Sequence, residues 1–457
     1  MTEFDVIVIG TGAGAKLIRP IANLGQNVAV VEHGNAGGTC LNHGCIPSKM
    51  LIHPADVIRD VEEARKTNVL GSPPDIDWAA LVRRTTETVD HDSNAITTGY
   101  TNAPNVTYFP GTGRFINATT IEVNGTQITG KRLFIAAGVR ARIPTIPGLA
   151  ETPYLTHKEA LRSTKRPRSI TIIGGGFIAL ELGHFYASAG VRTVILSRSA
   201  ILKDYDGDVR DEFLPRFRET IQLIEECDFQ SVSYNDNQFY TEIIHNGTPR
   251  TVKTDQLLVA AGMIPNTDIL NVEAAGIAVD DDGFITVNDR MATSVPNIWA
   301  FGDIIGAPFY RHKANFEGDY LFNTLYEMPR DIPISYPEIP SAIFTYPQIA
   351  GFGPSESELR TKGIDFVVGK CPYIDSGMGM AYRSDYGFIK LIFERTSRKL
   401  VSAVAIGPQA ATMMHMPIAF RQMNATLDDM LSTIYIHPAL PELVRNAARR
   451  AKLSLGK

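Results

Sequence analysis

The chain has 457 residues, 44% of them hydrophobic and 20% charged, with a formal net charge of −5. That length exceeds one ordinary core and points to about three domains, in a composition typical of folded globular proteins. The mildly acidic balance argues against nucleic acid or an anionic membrane surface as partner, and the most apolar stretch, residues 170–182, is too short and too broken by glycine to span a bilayer.

The start, Met1-Thr-Glu-Phe-Asp5, lacks the basic opening and long apolar run of a secretory signal. Four cysteines (Cys40, Cys45, Cys227, Cys371) are too few to brace a chain of this size with disulfides. A cytoplasmic enzyme with one special cysteine pair is the expectation. A strand is predicted over residues 4–9, running into Gly10-Thr-Gly-Ala-Gly-Ala15, and a second over 27–31, ending at Glu32. In Gly10-x-Gly12-x-x-Ala15 the first glycine permits a tight turn and the second lets a pyrophosphate approach the backbone. The small Ala15 lets the following helix pack closely on the strand, with the helix N-terminus facing the phosphates. Glu32 follows Gly10 at the distance, about 20 residues, at which such units hold a ribose hydroxyl pair. The plain alternative is a structural turn.

Next comes Gly37-Gly-Thr-Cys40-Leu-Asn-His-Gly-Cys45-Ile-Pro-Ser-Lys49. Residues five apart in a regular helix have Cα atoms roughly 8–9 Å apart, beyond the roughly 7 Å reach of an unstrained disulfide. If the two cysteines bond, the helix is distorted there, and Asn42 and Gly44 are the tolerant positions. A helix N-terminus would also raise the thiolate fraction available for exchange. A metal site and a pair of inert buried thiols are the alternatives; zinc would need further ligands close by, and Cys227 and Cys371 stand singly and far off. Packing is the expected role of those two.

Residues 111–138 alternate apolar and polar around Asn124-Gly125, which predicts antiparallel hairpins, and the proline-rich 143–148 predicts a crossing linker. The opening plan then returns: a strand over 170–173, Gly174-Gly-Gly176-Phe-Ile-Ala179, and a strand over 191–196. Here the second strand ends Ile195-Leu-Ser197-Arg198-Ser199, with Lys203 following. A carboxylate at that place would repel a 2′-phosphate, whereas Arg and Lys attract it. NADPH is therefore expected over NADH, against the alternative of a solvated loop to which Asp204, Asp206 and Asp208 lend weight. A second linker, residues 328–340 with four prolines, precedes extended segments at 387–394 and 400–406 and helical patterns at 412–424 and 440–453.

With these segments in this order, the chain resembles the pyridine nucleotide-disulfide oxidoreductases with a CxxxxC centre over essentially its whole length. That family includes dihydrolipoamide dehydrogenase, glutathione reductase, mycothione reductase and mercuric reductase. Leu133-Phe-Ile-Ala-Ala-Gly138 resembles its strand closing the FAD domain, and Leu257-Leu-Val-Ala-Ala-Gly262 with Pro265-Asn266 the one closing the nucleotide domain. Asn297-Ile-Trp-Ala-Phe-Gly302-Asp303 matches the second FAD motif, Ala342-Ile-Phe-Thr-Tyr-Pro347 the start of the interface domain, and His437-Pro438-Ala-Leu-Pro-Glu442 the His-Pro…Glu signature.

The resemblance implies an α/β fold with two Rossmann-like dinucleotide-binding domains, for FAD (residues 1–145 and 262–333) and NADPH (146–261), and a C-terminal α+β dimerisation domain (334–457). It assigns FAD to Gly10, Gly12, Gly14, Ala15, Glu32, Gly38, Thr39, Gly138 and Asp303, the last on the ribityl chain. It assigns NADPH to Gly174, Gly176, Ala179, Ser197, Arg198, Lys203 and Gly262. NADPH would reduce the flavin and the flavin the Cys40–Cys45 disulfide. Cys45 would face the flavin in a charge-transfer contact while Cys40 attacks a substrate disulfide. His437, oriented by Glu442, would shuttle protons on the neighbouring subunit of an obligate homodimer, and Lys49 and Glu181 would pair beside the flavin. Taken alone, His437 could be structural and Glu181 an ordinary helix-surface carboxylate.

The chain ends Lys452-Leu-Ser-Leu-Gly-Lys457, without the terminal cysteine pair usual in mercuric reductases. Ile436-His-Pro-Ala-Leu-Pro-Glu-Leu-Val-Arg-Asn-Ala447 and Phe177-Ile-Ala-Leu-Glu-Leu-Gly-His184 resemble mycothione reductase. A small, mycothione-like disulfide is the expected substrate. The alternatives are an NAD-dependent dihydrolipoamide dehydrogenase and a flavin redox sensor with little turnover. His43, inside the cysteine loop, has no counterpart in the family pattern.

Overall fold

The computed structural model describes residues 2–66, 71–72 and 75–455; Met1 and the terminal Gly456-Lys457 lie outside them. Strand β1 (Thr2–Ile9) is fully buried from Val6 through Ile9, the signature of a strand covered on both faces. It leads through the glycine turn into helix α1 (Ala15–Asn23), whose Leu17, Ile18 and Ile21 face the core, and then strand β2 (Val28–Glu32). Helices α2 (Gly38–His43), α3 (Cys45–Arg65) and α4 (Trp78–Thr101) follow, then strands β3 (Val106–Pro110), β4 (Gly113–Asn117), β5 (Thr120–Val123) and β6 (Thr126–Ile135). They form one sheet in the order β3-β2-β1-β6-β5-β4, with Ile298–Ala300 also on β6. β4, β5 and β6 are antiparallel as the alternation predicts, but β6 also runs parallel to β1, with Ile7 opposite Leu133. One strand thus serves as both hairpin and central strand.

The second unit repeats the theme with four parallel strands in the order Ile221–Ile224, Arg192–Leu196, Ser169–Ile173, Gln256–Val259, crossed by helix Phe177–Ser188. A three-stranded antiparallel sheet (Asp228–Asn235, Gln238–His245, Thr248–Thr254) is inserted before its last strand. Val139–Ala141 and Met263–Pro265 pair antiparallel where the chain crosses out of this unit and back. The two proline-rich linkers have no regular structure, as expected.

Beyond 340 a five-stranded antiparallel sheet (order Ser341–Ile343, Gln348–Phe352, Leu400–Gly407, Phe388–Glu394, Phe366–Pro372) carries helix Glu442–Leu455. Ala447, Ala448 and Ala451 are fully buried, and a Cβ on Gly369 would lie 1.9 Å from the Ala447 carbonyl oxygen. Small residues on both sides let helix and strand approach closely. The pattern over 412–424 resolves into two helices, Ala410–Met413 and His415–Gln422. No helix among the described residues is long and apolar enough to cross a membrane.

One buried charge ties the second unit to this sheet. Lys390, on strand Phe388–Glu394, is 1% exposed; its Nζ lies 2.7 Å from Asp206, 2.8 Å from Asp208 and 3.0 Å from Glu356. Burial works against its charge, but the three carboxylates outweigh burial and keep it protonated. Lys390→Met leaves carboxylates facing each other without their counter-charge. Breaking a buried ion pair from one side costs about 3–5 kcal/mol, so the guanidinium midpoint is expected to fall by a corresponding amount at an unchanged slope.

Candidate active site

The two glycine turns are built alike. Gly10 has φ +93°, and a Cβ there would lie 2.4 Å from the carbonyl oxygen of Ala136, just past β6. Gly174 has φ +138°, and its Cβ would lie 2.1 Å from the carbonyl oxygen of Ala260, just past strand Gln256–Val259. At both places a side chain would collide with the neighbouring strand's exit, so only glycine lets the chain turn there. Gly176 caps helix Phe177–Ser188 with open space in front of it, and Ala179 is fully buried behind.

A cleft of about 440 Å³ runs from the first turn to the cysteines. Gly10, Gly12, Glu32, Gly38, Thr39, Gly138 and Asp303 line it together with Cys40, Cys45, Lys49 and Glu181, while Gly14 and Ala15 lie behind the turn at the start of α1. Glu32 accepts hydrogen bonds on Oε2 from Thr11 N–H (2.9 Å) and Thr11 Oγ1 (2.7 Å), and on Oε1 from Gly34 N–H (3.0 Å). Thr11 Oγ1 accepts in turn from Gly37 N–H at 2.8 Å. Burial opposes ionisation of Glu32, but His33, Thr11 and Gly34 hold its carboxyl below the usual range. Thr11, which sequence reasoning passed over, therefore welds the turn to the loop that carries the cysteines. Asp303 accepts no side-chain hydrogen bond among the described residues, and burial pushes it up to about 6, with Lys313 and Arg311 pulling down and Glu317 up. A carboxylate in that state calls for hydroxyl donors. The turn, the ribose-side acid and this donor-hungry carboxylate fit a flavin dinucleotide.

The cysteines stand on two helices rather than one. The helical path breaks at Gly44, where a Cβ would lie 2.9 Å from Thr39 O and 3.3 Å from Cys40 Cα. Asn42, expected as a tolerant position, is instead a buried clamp: Nδ2 donates to the carbonyls of Asn35, Ala36 and Gly38 at 3.0–3.1 Å. Both cysteines are free thiols. The hydrogen bond from Cys40 to the Cys45 sulfur, followed by burial, raises the Cys40 thiol, against a lowering by Arg311. The same hydrogen bond lowers Cys45, which sits at about 7 despite burial, with Lys49 adding to the effect. Cys45 opens α3, where the helix N-terminus also favours a thiolate.

Lys49, one turn further on, pairs with Glu181 at 2.6 Å, and its ammonium lies 4.4 Å from the Phe344 ring centroid. Glu181 is buried and accepts Phe344 N–H at 3.0 Å, so it is not a surface carboxylate. His43 lines the cleft and is held neutral, at about 4, by burial and by nearby Lys158, Arg162 and His157. Cys227 and Cys371 are buried, with thiols pushed up mainly by burial. Among the described residues no group of three or more potential ligands could hold a metal ion.

His437 and Glu442 do meet, with Nδ1 3.0 Å from both carboxylate oxygens. Burial disfavours the Glu442 charge, but His437, Ala439 N–H and Arg445 keep its carboxyl below the usual range. The His437 side chain is 75% exposed and lines no part of its own chain's cleft. The structure therefore does not bring this pair to the cysteines within one chain.

In the second unit, Ser197 is buried and donates from Oγ to Ser199 O at 2.7 Å. Arg198 and Lys203 are exposed and form no ion pair among the described residues. Two of the three nearby aspartates, Asp206 and Asp208, point to Lys390, and Lys370 also holds Asp208.

Cys45 offers a pH test. With its thiol lowered from 9.0 to about 7, the fraction present as thiolate, and with it the iodoacetamide alkylation rate of the reduced protein, is expected to rise through pH 7. Lys49→Met removes a favourable charge and is expected to move that inflection upward; an unmoved inflection would show that Lys49 does not act on the thiol.

The model of the pyridine nucleotide-disulphide oxidoreductases matches residues 4–318, and that of their dimerisation domain matches residues 339–448. Dihydrolipoyl dehydrogenase of Geobacillus stearothermophilus is 31% identical, over 98% of this chain and 96% of its own. Mercuric reductase of Lysinibacillus sphaericus is 29% identical, over 98% and 82%. The HOCl-induced flavoprotein disulfide reductase RclA from Escherichia coli, solved as a Cu(II) complex, superimposes with a TM-score of 0.88 at 25% identity, over 99% of this chain and 100% of its own. The chain belongs to the pyridine nucleotide-disulphide oxidoreductases, the flavoprotein family that joins FAD and a pyridine nucleotide to disulfide chemistry.

Proposed function

We propose that the chain is an NADPH-dependent reductase of a low-molecular-weight, mycothione-like disulfide, working as a cytoplasmic homodimer. The same reading divides the chain into 1–145 with 262–333, 146–261, and 334–457. The observation that carries the nucleotide preference is the pair of exposed cations, Arg198 and Lys203, without an ion-pair partner among the described residues, beside Asp206 and Asp208, which Lys390 and Lys370 already pair. The homodimer rests on His437, solvent-facing and preceded by the exposed Ile434 (97%) and Ile436 (82%), while the glutamate that orients it is buried.

When bound, FAD would relay the electron pair of the nicotinamide to the cysteine pair. Cys45 then holds a thiolate and Cys40 a thiol, so Cys40 needs a base before it can attack. His437 of a second copy, its Nδ1 side held by Glu442, takes that proton as Cys40 bonds to one substrate sulfur, and returns it to the departing thiolate. Cys45 then attacks Cys40, closing the Cys40–Cys45 disulfide and releasing the second substrate thiolate. Two electrons leave the pair, and one substrate disulfide becomes one thiol, protonated through His437, and one thiolate, which takes its proton from water.

A second reading, an NAD-linked dihydrolipoamide dehydrogenase, is favoured by the end-to-end match to the Geobacillus enzyme. Steady-state oxidation of NADPH and of NADH against mycothiol disulfide, glutathione disulfide and lipoamide separates the two. Rapid NADPH use with a soluble disulfide supports the proposal; preference for NADH with lipoamide overturns it. Arg198→Ala is expected to raise KM for NADPH by about tenfold, the worth of one charge-assisted hydrogen bond, and to leave KM for NADH unchanged. Cys40→Ser is expected to abolish disulfide turnover while flavin bleaching by NADPH in a stopped-flow trace persists. Normal turnover by that variant would remove Cys40 from its assigned role.

A further inference from the structure

Arg311 is a cation that nothing above accounts for. It is the first residue of helix Arg311–Phe322, is half-buried, and lines the cleft. Its Nη1 lies 3.4 Å from the position a Cβ on Gly12 would occupy, so the guanidinium reaches the first glycine turn. Among the described residues it has no carboxylate within ion-pair distance and no hydrogen-bond acceptor, unlike the paired Arg59, Arg162 and Arg210. A half-buried guanidinium with five donors and no acceptor is unfavourable unless an anion completes it.

Three groups that could carry negative charge are within reach of its field. Cys40 keeps its proton while Cys45 carries the thiolate charge, and Asp303 stands too far off to form an ion pair. The third is whatever occupies the space before the Gly10–Gly14 turn, where the N-terminus of α1 gathers free N–H groups that favour a phosphate. A guanidinium fork matches two phosphate oxygens where an ammonium matches one.

We infer that Arg311 is a cofactor-binding residue that grips the pyrophosphate of FAD in front of the Gly10–Gly14 turn. The inference rests on the flavin reading of the cleft. Purified protein that carries no flavin would sink that reading; flavin bound equally well by the variants below would sink only the role of Arg311.

The test uses holoenzyme. FAD release is followed by the rise in flavin fluorescence on dilution, across a range of NaCl concentrations, for wild type, Arg311→Met and Arg311→Lys, with circular dichroism of each as the folding check. Arg311→Met is expected to release FAD at least about tenfold faster at low salt and to lose most of the salt dependence seen in wild type. Arg311→Lys, which keeps the charge without the fork, is expected to fall between and to decide the matter if the methionine variant does not fold. The flavin midpoint potential is expected to stay put in both variants. Unchanged release would overturn the inference. So would normal release with a shifted potential, because the cation would then act on the isoalloxazine ring.

Discussion

The architecture turns on one buried carboxylate. Burying the Glu181 side chain is costly unless its oxygens find partners, and its two partners come from different parts of the chain. Lys49 arrives on α3, one turn past Cys45, and the N–H of Phe344 arrives just past the first strand of the C-terminal sheet. Satisfying Glu181 therefore sets the cysteine helix, the second glycine-turn helix and the C-terminal sheet against one another at a single point. A second contact, His184 to Asp56 at 2.7 Å, one turn past Glu181 and two turns past Lys49, fixes the same pair of helices in rotation. The cysteines owe their position relative to the second glycine turn to these contacts, while Asn42, Thr11 and Ser93 anchor the loop before them.

The two sulfurs have different chemical characters because their backbones do. The break at Gly44 makes Cys45 the first residue of a helix and leaves Cys40 inside the preceding short one. Charge gathers on Cys45, where a helix end and Lys49 stabilise it, and the proton stays on Cys40. An unbroken helix would have given neither the contact between the sulfurs nor this division of roles.

Much of the site was legible because its parts are local. Each glycine turn announces itself by a strand before it and a small residue behind. The cysteine spacing required a distortion that Gly44 supplies, and His437 and Glu442 lie five residues apart and meet. What the sequence concealed depends on long-range convergence. Nothing about Thr11 signals that it bridges Glu32 and Gly37, and Asn42 looked permissive because its three carbonyl partners form only when the loop closes. The sheet over residues 228–254 was missed because nothing in the glycine motifs signals an insertion between the strands they begin. Two of the three aspartates after Lys203 are engaged elsewhere, because Lys390, 184 residues from Asp206, pairs with Asp206 and Asp208, a convergence no local pattern could show.

That last anchor limits how far the chain can be treated as modular. The loop that presents Arg198 and Lys203 belongs to the second nucleotide unit, but the residue that disarms its aspartates belongs to the C-terminal sheet. A chimaera that parted this unit from the C-terminal sheet would leave Asp206 and Asp208 without the buried lysine that pairs with them. Recombination that keeps this anchor therefore has to move two distant segments together, whereas substitution within the loop leaves it in place.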